Sequence, residues 1–123
     1  KVLTAPFPVL LWEGKYREPD VMYMSRAHAR RRNNRFWRGA DLVIEVVSRS
    51  PKDRARDLRT KRIEYARAGI TEYWIVDPAN HSLEILVLEG KRFAVHSMAA
   101  EMGLAESKVL VGLSVDVAQV FSV

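Results

Sequence analysis

The sequence has no cysteine, which excludes a disulfide scaffold, a thiolate zinc site and a cysteine nucleophile. Its three histidines, His28, His81 and His96, are too scattered for metal-ligand spacing. No Gly-rich phosphate loop, nucleotide fingerprint or Ser-His-Asp pattern occurs. Apolar runs end at five or six residues, far short of the ~20 that a membrane span requires. The opening stretch KVLTAPFP lacks the long apolar core of a signal peptide. There is no repeat, low-complexity segment or linker. These absences point to a reducing, cytoplasmic setting.

What is present fits one domain. The chain has 123 residues, 48% hydrophobic and 28% charged, enough to bury a core but cramped for two. Twenty basic residues stand against 15 acidic ones, but their distribution is uneven. Residues 26–67 hold 14 basic and five acidic residues, a net +9, while the rest of the chain carries −4. A strongly basic middle in a mildly acidic frame points to an acidic partner, nucleic acid first. The same pattern also suits a solvated Arg-rich loop and helix. All 14 cations read as exposed except Lys61.

Residues 7–13 (FPVLLWE) read as a strand, with Gly14-Lys15 as a turn. Residues 16–24 read as a second strand, interrupted at Pro19, which cannot donate to a ladder and so marks an edge or a strand start. Residues 25–39 form a long basic connection. In 41–48 (DLVIEVVS) apolar residues fall on both faces, as in a central strand covered on both sides. The main helix spans about 50–68, with Ser50 as N-cap, Pro51 at the first helical position, Asp53 in the first turn and Gly69 as C-cap. Strands follow at 71–77, 83–89 and 92–98. The tail 111–123 closes with a short helix capped by Asp116 or Ser114. The order β-β-β-α-β-β-β-α gives an α/β domain with a mixed sheet.

Three charges break the local rules. Glu45 lies between Val43 and Val47 on one face of the doubly covered strand, where a carboxylate is costly unless paired or bound to a cation. Lys61 flanks the helix stripe marked by Leu58 and Tyr65, at ~100° per residue. Asp20 opens a strand that a mixed sheet can place beside Glu45. One reading of this trio is a buried Glu45–Lys61 ion pair without a catalytic role. The other is a phosphodiesterase centre, in which carboxylates on adjacent strands hold a divalent metal and an ammonium acts on the water or the transition state. Asp41 shares a strand face with Glu45, but about 13 Å separates their Cα atoms, so it reads as a strand-start hydrogen-bonding residue. Asp57, four residues before Lys61, reads as a helix ion-pair partner or orienter of Lys61.

The stretches REPDVMYM, GADLVIEVVSRS, RDLRTKRIEYARAGITEYWIVDP and VGLSVDVAQVF resemble a large bacterial family of restriction-endonuclease-like proteins within the PD-(D/E)XK nuclease superfamily. The resemblance implies a restriction-endonuclease-like core over residues 1–123. It implies Asp20 and Glu45 as catalytic metal ligands, the backbone carbonyl of Val46 as a further ligand, Lys61 as the catalytic lysine, and Mg²⁺ or Mn²⁺ as cofactor. The superfamily's usual lysine two residues after the strand acid would fall at Val47, and Lys61 on the following helix takes its place. Ala40 and Arg49 stand where the family often has proline, and both read as loop changes. The chain starts at Lys1, and beside the family it is expected to lack an N-terminal section.

In the basic connection, Arg30, Arg31, Arg32, Arg35 and Arg38 suit phosphate contact, and Phe36 and Trp37 suit either base stacking or anchoring in the core. His28 reads as solvent-exposed or as a phosphate contact; His81 and His96 carry no role. Tyr65, Tyr73 and Trp74 read as core. The functional expectation is a metal-dependent endonuclease hydrolysing nucleic acid, DNA first, as a homodimer built on the hairpins of 71–98. The alternative is a non-catalytic nucleic-acid-binding or dimerisation module.

Overall fold

A computed structural model describes residues 1–122; Val123, the last residue of the predicted tail, lies outside them. In chain order the strands are β1 (Val2–Thr4), β2 (Val9–Trp12), β3 (Lys15–Arg17), β4 (Val21–Tyr23), β5 (Trp37–Arg38), β6 (Leu42–Val46), β7 (Glu72–Asp77), β8 (Ser82–Glu89), β9 (Arg92–Ala100), β10 (Leu104–Glu106) and β11 (Ser114–Asp116). Six of them form one mixed sheet in the order β1-β4-β6-β7-β8-β9. β6 and β7 run parallel, so the chain must cross between them over one face. It does so through the main helix, which consists of α1 (Pro51–Ala55), one π-helical turn (Arg56–Thr60) and α2 (Lys61–Arg67). A short α3 (Val117–Val120) follows β11, and Asp116 caps it by accepting from the Ala118 N–H at 3.1 Å.

The alternation in β6 sends Val43, Glu45 and Val47 to the helix side, where Tyr65, Ala66, Ile70, Tyr73 and Ile75 complete one core cluster. Leu42 faces the other way, with Trp74, Leu83, Ile85, Ala105 and Val117. Double coverage holds for the start of the strand but not for its end, since Val46 is 49% exposed.

The front of the chain departs from expectation. Pro19 does more than interrupt a strand: it separates β3 from β4, which belong to different sheets. Without an N–H to donate, it is the natural place for the chain to leave one ladder for another. The predicted strand 7–13 is accordingly not in the main sheet, because β2 pairs with β3 and β5 in a small sheet of its own. The connection 25–39 contains a 3₁₀ segment (Arg26–Arg31) and β5. Trp37 is buried in the core and Phe36 packs edge-on against Tyr16, so both serve as anchors. The short strands β1, β10 and β11 add to the predicted set.

Local chemistry fixes the ends of the main helix. Gly69 has φ +79°, a left-handed conformation that glycine adopts without a Cβ penalty. Its N–H reaches the Ala66 carbonyl (3.0 Å) and that of Ile70 reaches Tyr65 (3.1 Å), the paired bonds of a Schellman stop. At the other end, Ser50 takes the N-cap position without a capping side-chain bond, and Pro51 follows at the first helical position. The helix start is held instead by Arg54, which forks onto both oxygens of Asp77 at 3.1 and 2.7 Å. Across the sheet, the buried carboxylate of Glu72 ties down the chain after β10. It accepts from Trp74 Nε1 (2.7 Å), Ser107 Oγ (2.6 Å) and the backbone N–H groups of Lys108 (2.8 Å) and Val109 (3.0 Å). No described helix is long and apolar enough to cross a membrane.

The Arg54 hydrogen bonds hold the Asp77 carboxyl down at about 2, against burial, with help from Asn80 and the Ala79 N–H. A depressed carboxyl contributes stability above its unfolded value, near 4, and loses it as pH falls towards 2. Asp77→Asn should therefore lower the thermal midpoint at pH 7, and its difference from wild type should shrink as pH falls from about 4 to about 2. Melting both proteins across that range by circular dichroism checks this; a constant difference would show that the ion pair is not the source.

Candidate active site

The antiparallel pairing of β4 with β6 sets Val21 opposite Ile44, so the residue before β4 falls next to Glu45. The Asp20 N–H donates to Glu45 Oε1 at 3.3 Å, and the Val46 N–H donates to Asp20 Oδ2 at 2.7 Å. Two acidic residues thus meet across adjacent strands, linked through backbone N–H groups, Asp20 half-exposed and Glu45 buried.

The helix supplies the rest. Lys61 Nζ lies 2.9 Å from Glu45 Oε2 and 2.8 Å from Asp57 Oδ1. Asp57 is buried, and its Oδ2 accepts from the Ser48 N–H at 3.2 Å. The Tyr65 hydroxyl donates to the same Glu45 Oε2 at 2.7 Å. Asp57, Lys61 and Tyr65 are spaced by four residues, and an α-helix would advance each by ~40° from the last. The π turn, in which the Lys61 N–H reaches back to the Arg56 carbonyl, takes more residues per revolution. It underwinds the Asp57–Lys61 step, so that Asp57 reaches Lys61 while Lys61 and Tyr65 both reach Glu45. The Tyr73 hydroxyl holds this turn by donating to the Asp57 carbonyl at 2.9 Å.

Electrostatics follow from the count of charges. Burial pushes the Glu45 carboxyl above its ordinary value and the nearby Asp20 charge adds to the rise, while Tyr65 and Lys61 oppose it. Burial pulls the Lys61 amine down, but its bonds to Asp57 and Glu45 outweigh this and hold it above its ordinary value. Lys61 is therefore a protonated donor at neutral pH, not a free base. Burial beside Glu45 also raises the Tyr65 hydroxyl far beyond the physiological range, so Tyr65 acts only as a hydrogen-bond donor.

The donor set suits a hard cation. It offers oxygen alone, with Asp20 Oδ1 and Glu45 Oε1 the oxygens least engaged by the protein. Among the described residues no group of three or more His, Asp or Glu side chains is placed to enclose a metal ion. If the site holds an ion, Asp20 and Glu45 are the residues that would take it, and a small hard dication can be held by one or two protein carboxylates with water completing its shell.

The other predicted residues lie elsewhere. Asp41 stands at the far end of β6 and accepts from the Ser25 N–H (2.7 Å), with His28 Nδ1 at 2.7 Å from its other oxygen. His28, expected to be solvent-exposed or a phosphate contact, is partly exposed and also a partner of Asp41. Arg30, Arg31, Arg35 and Arg38 are exposed. Arg32 is not available to a ligand as expected, because its guanidinium donates to the carbonyls of Met24 (2.8 Å) and Ser25 (3.0 Å). Arg54 is likewise taken, by Asp77. Tyr65 is the site residue that the sequence reading assigned to the core. Its only signal was a hydroxyl that burial obliges to find a partner.

A mixed sheet whose two parallel central strands are joined by one crossover helix is a restriction-endonuclease-like fold. The chain belongs to the Uma2 family, described as "Putative restriction endonuclease", whose model matches residues 1–118. A solved structure, a putative nuclease belonging to DUF820 from Anabaena variabilis ATCC 29413, is similar with a TM-score of 0.71 and 13% identity, covering 99% of this chain and 68% of that one. At that identity the likeness shows the fold. No curated protein matches the sequence.

Removing the Tyr65 hydroxyl leaves the shape of the core intact but takes a donor from a buried carboxylate. Tyr65→Phe should cost about 1.5–3 kcal/mol, the range for bonds to charged groups, and Tyr73→Phe, which loses a bond to a neutral carbonyl, about 0.5–1.5. Urea denaturation of the two variants tests the order; equal losses would mean that Tyr65 does not carry the Glu45 carboxylate.

Proposed function

We propose that this chain is a metal-dependent endonuclease domain that hydrolyses phosphodiester bonds, with DNA as substrate. The observation that carries this reading is the placement of Asp20 beside Glu45, whose carboxylate accepts from the Asp20 N–H, with the Lys61 ammonium held between Glu45 and Asp57. The choice of DNA rests on the description of the family as restriction endonucleases.

Asp20 and Glu45 would hold Mg²⁺ or Mn²⁺, with the backbone carbonyl of Val46 as a third protein ligand. When bound, such an ion supplies Lewis acidity towards water and a phosphate oxygen. The chain's own residues do the rest. Tyr65 and Lys61 both bind Glu45 Oε2, which fixes the carboxylate and turns Oε1 towards Asp20. Lys61, kept protonated by Asp57, donates to the attacking water or to the phosphate oxygen on which charge builds. Water adds to phosphorus as the bond to the leaving oxygen breaks; the water gives one proton to solvent and the leaving oxygen takes one from solvent, so the products are a phosphate monoester and an alcohol. Asp57 positions Lys61 and does not touch the substrate.

A homodimer is part of the proposal, and the sheet order narrows its surface. β7 and β8 are interior strands, so within 71–98 the edge of β9 is the face open to a second copy. Val95 and Met98 are exposed there.

Plasmid cleavage tests the activity. Wild type should cut with Mg²⁺ or Mn²⁺ and stop with EDTA, and Glu45→Gln and Asp20→Asn should each lose at least about 100-fold, the scale for removing one group that stabilises transition-state charge. Cleavage that survives EDTA, or equal rates in wild type and Glu45→Gln, would refute the proposal. If the trio is only an ion-pair cluster, Mn²⁺ should leave the melting temperature unmoved.

A further inference from the structure

The first part of the loop in which the sequence concentrates arginine is fastened at the end of β6 away from Glu45. Asp41 holds Ser25 and His28 there, and Arg32 is spent on the carbonyls of Met24 and Ser25. Four residues of extended strand put the Cα of Asp41 about 13 Å from that of Glu45. At the Glu45 end the chain runs through Arg49 into the main helix, whose Asp57 and Lys61 point inward to the carboxylates.

The outward flank of that helix start is cationic. Arg49, Lys52 and Arg56 are exposed; Lys52 and Arg56, four residues apart, share one side of the helix, and Arg49 stands just before its extended N-cap, Ser50. Within this stretch Arg54 is neutralised by Asp77. Asp53 meets Arg56 at 3.4 Å with both side chains well exposed, a contact worth little in water. Arg49 and Lys52 have no acidic partner among the described residues. Lys52 and Arg56 are one helical turn apart, about 6 Å along the axis, so both can meet charges of one extended polyanion. Three exposed cations, two of them without an acidic partner among the described residues, suit a partner carrying several negative charges better than a single anion.

We infer that the Arg49–Lys52–Arg56 flank, not the Arg30–Arg38 loop, is the surface that holds the phosphodiester strand beside the carboxylates. The inference rests on the nuclease reading for its choice of partner, but the contact itself needs neither metal nor cleavage. The test is fluorescence anisotropy of a labelled 20-base-pair DNA duplex in EDTA, titrated across a salt series. The proteins are wild type, the triple variant Arg49→Gln/Lys52→Gln/Arg56→Gln and the loop variant Arg30→Gln/Arg31→Gln/Arg35→Gln. All six positions are exposed, and matching melting temperatures would show that the variants fold.

The helix variant should bind at least about tenfold more weakly, and its slope of log affinity on log salt should flatten by about 2–3, at ~0.9 for each lost phosphate contact. The loop variant should flatten by less than about 1. A wild-type slope in the helix variant, a larger change in the loop variant, or no salt-dependent binding by wild type overturns the inference. Glu45→Gln separates this from the nuclease reading. If it binds DNA like wild type and does not cut, both stand. If it cuts like wild type while the helix variant loses binding, the nuclease reading falls and the surface remains.

Discussion

A carboxylate buried on the inner face of a central strand is the constraint around which this site is organised. Glu45 is 2% exposed between Val43 and Val47, and a lone ion there would cost several kcal/mol. Two donors converge on one of its oxygens, Tyr65 from deep in the core and Lys61 from its edge. Lys61 needs a second anion to stay charged in its own half-buried position, and Asp57 is that anion. The π turn lies between these two residues and narrows the ~40° that an α-helical four-residue step would put between them. Stability alone does not account for the arrangement. Well-packed apolar residues of similar volume are often as stable as a buried ion pair or more so.

The parts of the site that violate a local rule were readable from sequence. A glutamate between inward-facing valines, a lysine beside a packed helix stripe and an aspartate after the Pro19 break each look misplaced, and the structure brings all three together. The parts that obey local rules were hidden. Tyr65 has the helical spacing of a core residue, and it is one; nothing in its position shows where the hydroxyl points. The π turn has no compositional mark, because its residues RDLRT would serve equally well in an α-helix.

Long-range pairing hid the rest. Glu72 looks like an ordinary strand-start acid after Thr71, and three of its four donors come from 35 to 37 residues further on. No periodicity reports such a partner. The split of residues 16–24 between two sheets was half visible: proline shows that the ladder stops, but not that the chain joins another sheet when it resumes. The basic loop misled for a related reason. Charge density in sequence says nothing about which end of a strand the loop is tied to, and the His28–Asp41 contact that decides this joins residues 13 apart.

The charge balance of the cleft links its inner and outer faces. Asp20, Glu45 and Asp57 carry three negative charges against the single positive charge of Lys61. A polyanion brought to such a site meets repulsion, strengthened by the low dielectric around the buried members. Two sources of positive charge can offset it without disturbing the core. One is a hydrated dication between Asp20 and Glu45, where the least engaged carboxylate oxygens lie. The other is an exposed row of side chains close enough to attract the flanking phosphates. The main helix supplies that row on the outside of the turns that direct Asp57 and Lys61 inward, so one element both builds the acidic centre and offsets it.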